Sequence, residues 1–173
     1  GMNDSTVTTA SYVIKVQTDK PESKPFPFED VEIIKGHWKY ENVKYVYENN
    51  IMNGISGTNL FNPDGNLTRA MFATVLYRMA GSPEISFSPK FKDVKDGQYY
   101  SKAIIWANAK GIVAGYTDGN YGVNDDITRE QIAKMLNLYA KVQKYDISAK
   151  KDLGSFTDVK EVSNWAVGFM QWA

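Results

Sequence analysis

The sequence predicts an all-α fold: a pseudo-threefold bundle of tandem helix-loop-helix repeats behind a short N-terminal β-strand segment. Three observations carry this prediction. A four-residue pattern, Phe28-Glu29-Asp30-Val31, returns as Phe91-Lys92-Asp93-Val94 and as Phe156-Thr157-Asp158-Val159, a period of roughly 64 residues that marks structural repeats. The first two copies each hold two apolar stretches at helical spacing, parted by a loop rich in Gly, Asn and Asp. Both second stretches open on the same kind of triplet, Leu67-Thr68-Arg69 and Ile127-Thr128-Arg129.

In order, residues 1–27 hold a β-branched run, alternating near Tyr12 to Val16, that reads as a strand. A lone strand is not a fold, so it either closes an upstream β domain or pairs with a copy of itself. Asp19 to Pro27, with Pro21, Pro25 and Pro27 among charges, is a stiff linker. Gly1 ahead of Met2 reads as the scar of a cleaved tag, and the chain as an excised piece of a longer protein.

Residues 28–83 form the first repeat. Trp38 stands about nine residues after Phe28 and Tyr45 two helical turns further, so both belong to one helix face. Val43, Val46, Tyr47 and Ile51 make that helix apolar before Gly54 stops it. Thr68 caps a second helix with Met71, Phe72, Val75, Leu76 and Met79 as its stripe, ended by Gly81-Ser82-Pro83. Residues 84–150 repeat the plan. Tyr99 and Trp106 are the paired aromatics, and Ala103, Ile104, Ala107 and Ile112 precede stops at Gly111 and Gly115. Ile132, Met135, Leu136 and Tyr139 form the second stripe. Residues 151–173 begin a third unit with Trp165 and Trp172 and reach only its first helix. Two short helices cannot bury both stripes alone, so the units must pack on each other. The three first helices are expected to meet centrally.

Composition narrows the chemistry. Lys plus Arg is 20 and Asp plus Glu is 20, giving net charge +0, which lacks the basic field nucleic acid demands. An anion has to be met locally by particular Arg and Lys side chains. Without cysteine there are no disulfides or thiolate metal sites, and no apolar run approaches a membrane span. His37 is the single histidine, which leaves no His relay or histidine-rich metal site, and beside Trp38 it reads as incidental.

The triplets are the candidate chemistry. A Thr hydroxyl accepts from an orphan N–H of the first turn. An Arg one residue later sits at the positive end of the helix dipole, where an anion is welcome and a cation is not. Two such arginines at matching places, Arg69 and Arg129, suggest a paired anion site, weighed against solvated side chains that pair with Asp64 and Asp125. Flat faces for sugar rings would come from Trp38, Tyr99, Trp106, Trp165 and Trp172, set against core packing as their commoner use. Gly54 and Gly115 permit close approach to the backbone.

These features resemble the S-layer homology family, over Phe28 to Ala173. The resemblance rests on the Phe-x-Asp-Val openings, the aromatic nine residues on, Gly115-Tyr116-Thr117-Asp118-Gly119 and the two Thr-Arg helix starts. It implies an exported, non-catalytic module without cofactor or metal, anchored outside the cell to the Gram-positive wall or S-layer. It also implies binding of secondary cell-wall polysaccharide, often carrying pyruvate ketals, in grooves between repeats. Carried over to this sequence, that puts Thr68, Arg69, Thr128 and Arg129, with Asp118, Gly54, Gly115, Trp38, Tyr99 and Trp165, at the glycan. The family's Ile-Thr-Arg-Ala-Glu motif is altered here: its Glu is replaced by Met71 and Gln131, and the preceding Pro is kept as Pro63 but lost at Val123. Gln131 still completes a capping box with Thr128, whereas Met71 cannot do so with Thr68.

Other classes were weighed. Asn62-Pro63-Asp64-Gly65-Asn66 and Asp118-Gly119-Asn120 look like pieces of calcium loops of a dockerin or EF-hand. Counting from Asp118, however, position 5 is Gly122 and position 12 is Arg129, where ligands are required. No nucleophile, base and orienting group stand together for an enzyme. Self-assembly into a lattice, or a homodimer that covers Phe169 and Met170 on the incomplete third unit, remains a different kind of function.

Overall fold

Local chemistry sets each helix start. In the computed structural model, which describes residues 26–173, α1 (Glu29–Glu32) follows Phe28 and α2 is Trp38–Glu48. Here the His37 ring nitrogen accepts from the Lys39 N–H at 3.3 Å, so the histidine read as incidental is the N-cap. For α3 (Arg69–Met79), Thr68 Oγ1 accepts from the Met71 N–H at 3.2 Å. α4 spans Ser101–Ala109. At α5 (Arg129–Val142), Thr128 and Gln131 form the reciprocal capping box, 3.3 and 3.4 Å. A 3₁₀ turn (Val159–Glu161) and α6 (Val167–Trp172) make up the third unit. The chain is all-α; among the described residues the only β pairing is an isolated bridge, Thr68 to Asp126. The expected N-terminal strand lies outside the described residues.

Helix stops differ between the repeats. Gly111 at φ +70° follows α4 as expected, but α2 ends at Glu48 with Asn50 taking the left-handed conformation, φ +57°. Gly54 comes after that and serves something else. A Cβ there would lie 2.4 Å from the Phe28 ring, and one on Gly115 would lie 2.5 Å from the Phe91 ring. Each glycine makes room for the buried Phe that opens its own repeat.

The aspartates of the opening pattern are equally structural. Asp93 accepts from the backbone N–H groups of Tyr121, Gly122 and Val123 at 2.7, 2.8 and 3.0 Å. Asp30 does the same for Phe61 and Asn62. Burial would raise the Asp93 carboxyl, but these donors outweigh it and hold it below the ordinary carboxylate value. Phe and Asp together thus tie each repeat's loop to its own start.

Helices within one repeat do not pack on each other. α3 packs on α4 of the next repeat, α5 packs on α6, and α3 and α5 adjoin. The main core joins Ala70, Ala73 and Leu76 of α3, Ile104, Trp106 and Ala107 of α4, and Met135 and Tyr139 of α5, with Phe91 and Tyr121. A separate cluster of Phe28, Val31, Tyr40 and Val43 holds α1 to α2. Three expectations are corrected here. The first helices α2, α4 and α6 do not meet centrally, because the second helices are drawn together at their starts. Met71 and Met79 are exposed, since small Ala70 and Ala73 let α3 approach its neighbours with a rotated face. Trp106 is buried against Tyr77 while Tyr45 is exposed, so the second aromatics are not equivalent.

Candidate functional site: the two Thr-Arg helix starts

The two triplets lie side by side. The Arg69 N–H donates to the Asp125 carbonyl at 2.9 Å, and the Ile127 N–H donates to the Leu67 carbonyl at 2.9 Å. Asn66 donates to the Asp126 carboxylate at 2.7 Å. Repeat 1's helix start is therefore stitched to repeat 2's.

Arg69 is only 7% exposed. Its Nε donates to the Tyr121 carbonyl at 3.0 Å and its Nη2 to the Ala114 carbonyl at 3.2 Å. The guanidinium carbon stands 4.9 Å from the Tyr116 ring centre and 4.8 Å from that of Tyr121. Tyr121 returns a bond from its hydroxyl to the Arg69 carbonyl at 3.2 Å, and burial pushes its phenol up to about 12 despite the opposing pull of Arg69. Tyr116 is oriented in turn by donating to Asp125 at 2.7 Å. A charge taken out of water is thus met by two carbonyls and two ring faces, the contacts it needs to be tolerated. Arg69 clasps the loop Ala114–Tyr121 of the next repeat.

Arg129 is exposed. It stands at the rim of a groove of about 860 Å³ between α5 and the third unit. Ile132 and Leu136 of α5 face Leu153, Phe156, Met170 and Trp172 across it, and Lys150 and Lys151 add positive charge. Glu130, also on the rim, accepts from the Ser163 N–H at 2.6 Å, and Lys134 lies 5.4 Å over the Trp165 ring. These two contacts pin the third unit to α5. The groove can take a ligand with an anionic group at Arg129 and an apolar body along its walls.

The remaining sequence-derived candidates scatter. Thr68 and Thr128 spend their hydroxyls on caps. The Asp118 carboxylate accepts from Asn120 at 2.9 and 2.8 Å, which holds it below the ordinary value and shapes the Tyr116–Tyr121 turn. Trp38, Tyr99 and Trp165 present exposed rings, each ahead of or at a first-helix start, and Trp165 alone borders the α5 junction. Lys150, Lys151 and Phe156 as groove walls were not foreseen: lysines in a polar linker carry no sequence signal, and Phe156 reads as core like Phe91. Among the described residues no group of His, Cys, Asp or Glu is arranged to hold a metal, and no helix is long and apolar enough to cross a membrane.

Comparison with known proteins decides the family. The family model for the S-layer homology domain matches residues 27–73 and 90–133, together just over half of the chain. The chain belongs to the S-layer homology domain family. It is 34% identical to an endoglucanase of Bacillus sp. (strain KSM-635) over 90% of its length, covering 16% of that protein. It is 29% identical to the surface-layer 125 kDa protein of Lysinibacillus sphaericus over 88% of its length, 12% of the relative. With the cellulosome-anchoring protein of Acetivibrio thermocellus it shares 36% identity over 58% of its length, 23% of the relative. The chain spans about a sixth of the first relative and less than a quarter of the others. Proteins of such different kinds share this segment but no common catalysis, so the S-layer homology segment is an anchoring module and not their catalytic part. Its setting is the extracellular cell wall.

Proposed function

We propose that this module fastens a larger surface protein to the wall by binding secondary cell-wall polysaccharide, with an anionic substituent such as a pyruvate ketal held at Arg129. The observation that carries this reading is the exposed guanidinium at the α5 start, on the rim of an 860 Å³ groove with aromatic and apolar walls. A carboxylate there meets a planar fork of donors and the positive end of the helix, a charge-assisted contact of roughly 1.5–3 kcal/mol. Trp172 and Phe156 offer faces for sugar rings, with Thr128 and Trp165 at the same junction. At the first junction Thr68 and Tyr99 offer polar and aromatic surface, but the Arg69 fork is turned into its socket. In this division Arg129 reads the anion, and Arg69 with Gly115 and Asp118 keeps the neighbouring loop in shape.

Co-sedimentation with Gram-positive sacculi tests it, before and after chemical removal of the secondary polymer. Binding that disappears on stripping and in Arg129→Ala is expected; binding that survives both sinks the reading. A second reading, assembly with a copy of itself, is favoured by the exposed Phe156 beside the half-buried Phe169 and Met170. Light scattering without polysaccharide separates it: a concentration-dependent dimer is expected there, and a monomer throughout removes it.

A further inference from the structure

Around Arg69 the chain shows what this kind of helix start holds: a loop from the next repeat. Three fittings secure that loop. Arg69 takes two of its carbonyls, at Ala114 and Tyr121. Asp93 takes three of its N–H groups. Phe91, 8% exposed, packs under the Tyr121 ring at 5.5 Å.

The groove over Arg129 is lined by the counterpart of every fitting, and each is unfilled. Arg129 corresponds to Arg69 and is exposed. Asp158 corresponds to Asp93, and among the described residues no loop N–H donates to its carboxylate. Phe156 corresponds to Phe91 and is 56% exposed. Arg129, Phe156 and Asp158 all line the one groove, together with Trp172, the counterpart of the buried Trp106. A carboxylate-bearing sugar explains Arg129, but it explains neither an aspartate awaiting donors nor a Phe awaiting a ring.

We propose that this groove is a docking seat for a polypeptide loop of the Gly-Tyr-x-Asp-Gly-x-Tyr type from a further repeat, and that the docked loop shuts out glycan. The loop of a second copy is not the occupant, because that loop is already committed to its own Arg69. The exclusion rests on the reading that glycan binds at Arg129; the docking does not.

The test extends the chain past Ala173 with a copy of its own residues 108–142, in register with Trp172 standing for Trp106. Arg129→Ala is then made in the original and the extended chain, and urea midpoints and sacculus binding are measured for all four. Docking predicts that Arg129→Ala leaves the original midpoint in place but lowers that of the extended chain, and that Ala at the copied Tyr121 does the same. It also predicts that sacculus binding falls several-fold on extension. An unmoved midpoint in both backgrounds overturns the docking seat. A lowered midpoint with undiminished sacculus binding upholds docking and overturns the exclusion, placing the glycan elsewhere. Should the extension remain unfolded by circular dichroism, a cyclised peptide of residues 113–125 titrated against the original chain replaces it. A saturable tryptophan-fluorescence change, lost in Arg129→Ala, is expected, and its absence overturns the proposal.

Discussion

Arg69 and Arg129 hold the same place in the same triplet, one residue after a capping Thr, yet one is inside the molecule and the other at its surface. The difference lies in what the following repeat brings. Beside Arg69 it brings carbonyls and tyrosine rings; beside Arg129 it brings an open groove. A motif position therefore fixes where a guanidinium starts, and the partner across the repeat boundary fixes what it does. One side chain can be a core component in one repeat and a ligand contact in the next.

Single substitutions give the sharpest break of this comparison. Arg69→Ala strands two carbonyls and leaves a hole between two rings, and should cost about 3–5 kcal/mol in urea unfolding. Arg129→Ala should stay within about 0.5 kcal/mol, as exposed substitutions do. Equal losses would end the distinction. The aspartates should divide the same way: Asp93→Ala should cost about 2–4 kcal/mol for the lost charge-assisted bonds, and Asp158→Ala almost nothing. Because the Asp93 carboxyl is held below its ordinary value, its contribution is present at neutral pH and fades as acid protonates it.

Alkali examines the same socket from the other side. The Tyr121 phenol, raised from 10.0 to about 12, favours the folded state fully below pH 10 and loses that advantage as pH climbs towards 12. On the order of 2 kcal/mol should vanish across that window and be missing from the pH profile of Tyr121→Phe. Smallest are the caps. Thr68→Ala and Thr128→Ala should each cost about 1 kcal/mol by thermal or urea melts, the second slightly more because it also breaks the box with Gln131.

Helical class, repeats and the Thr caps were legible in the sequence because period and capping chemistry act locally. The burial of Arg69 was not. It depends on carbonyls at Ala114 and Tyr121, far along the chain, and a backbone carbonyl has no signature in a sequence. The equivalence of Tyr45 and Trp106 failed for a related reason: a spacing of seven places two rings on one face but does not say what that face meets. Met71 and Met79 misled because hydrophobicity was given more weight than size, whereas Ala70 and Ala73 set how closely α3 packs. Gly54 and Gly115 were rightly read as points of close approach, and the Phe ring that approaches each opens the same repeat.

The pairing of α3 with α4 and of α5 with α6 puts the sequence period and the cooperative folding unit out of phase. A piece cut at the repeat boundary, near residue 83, would carry α3 without the surface it condenses on and α4 without its cover. Contacts such as Arg69 to Tyr121 span 52 residues, so chain closure has to precede the reward of burial. Folding should thus nucleate across the junction of two repeats and not within either, and a single excised repeat should behave as a collapsed, exchanging chain. Duplication of such a module adds material in whole periods, while stability arrives in interlocking halves.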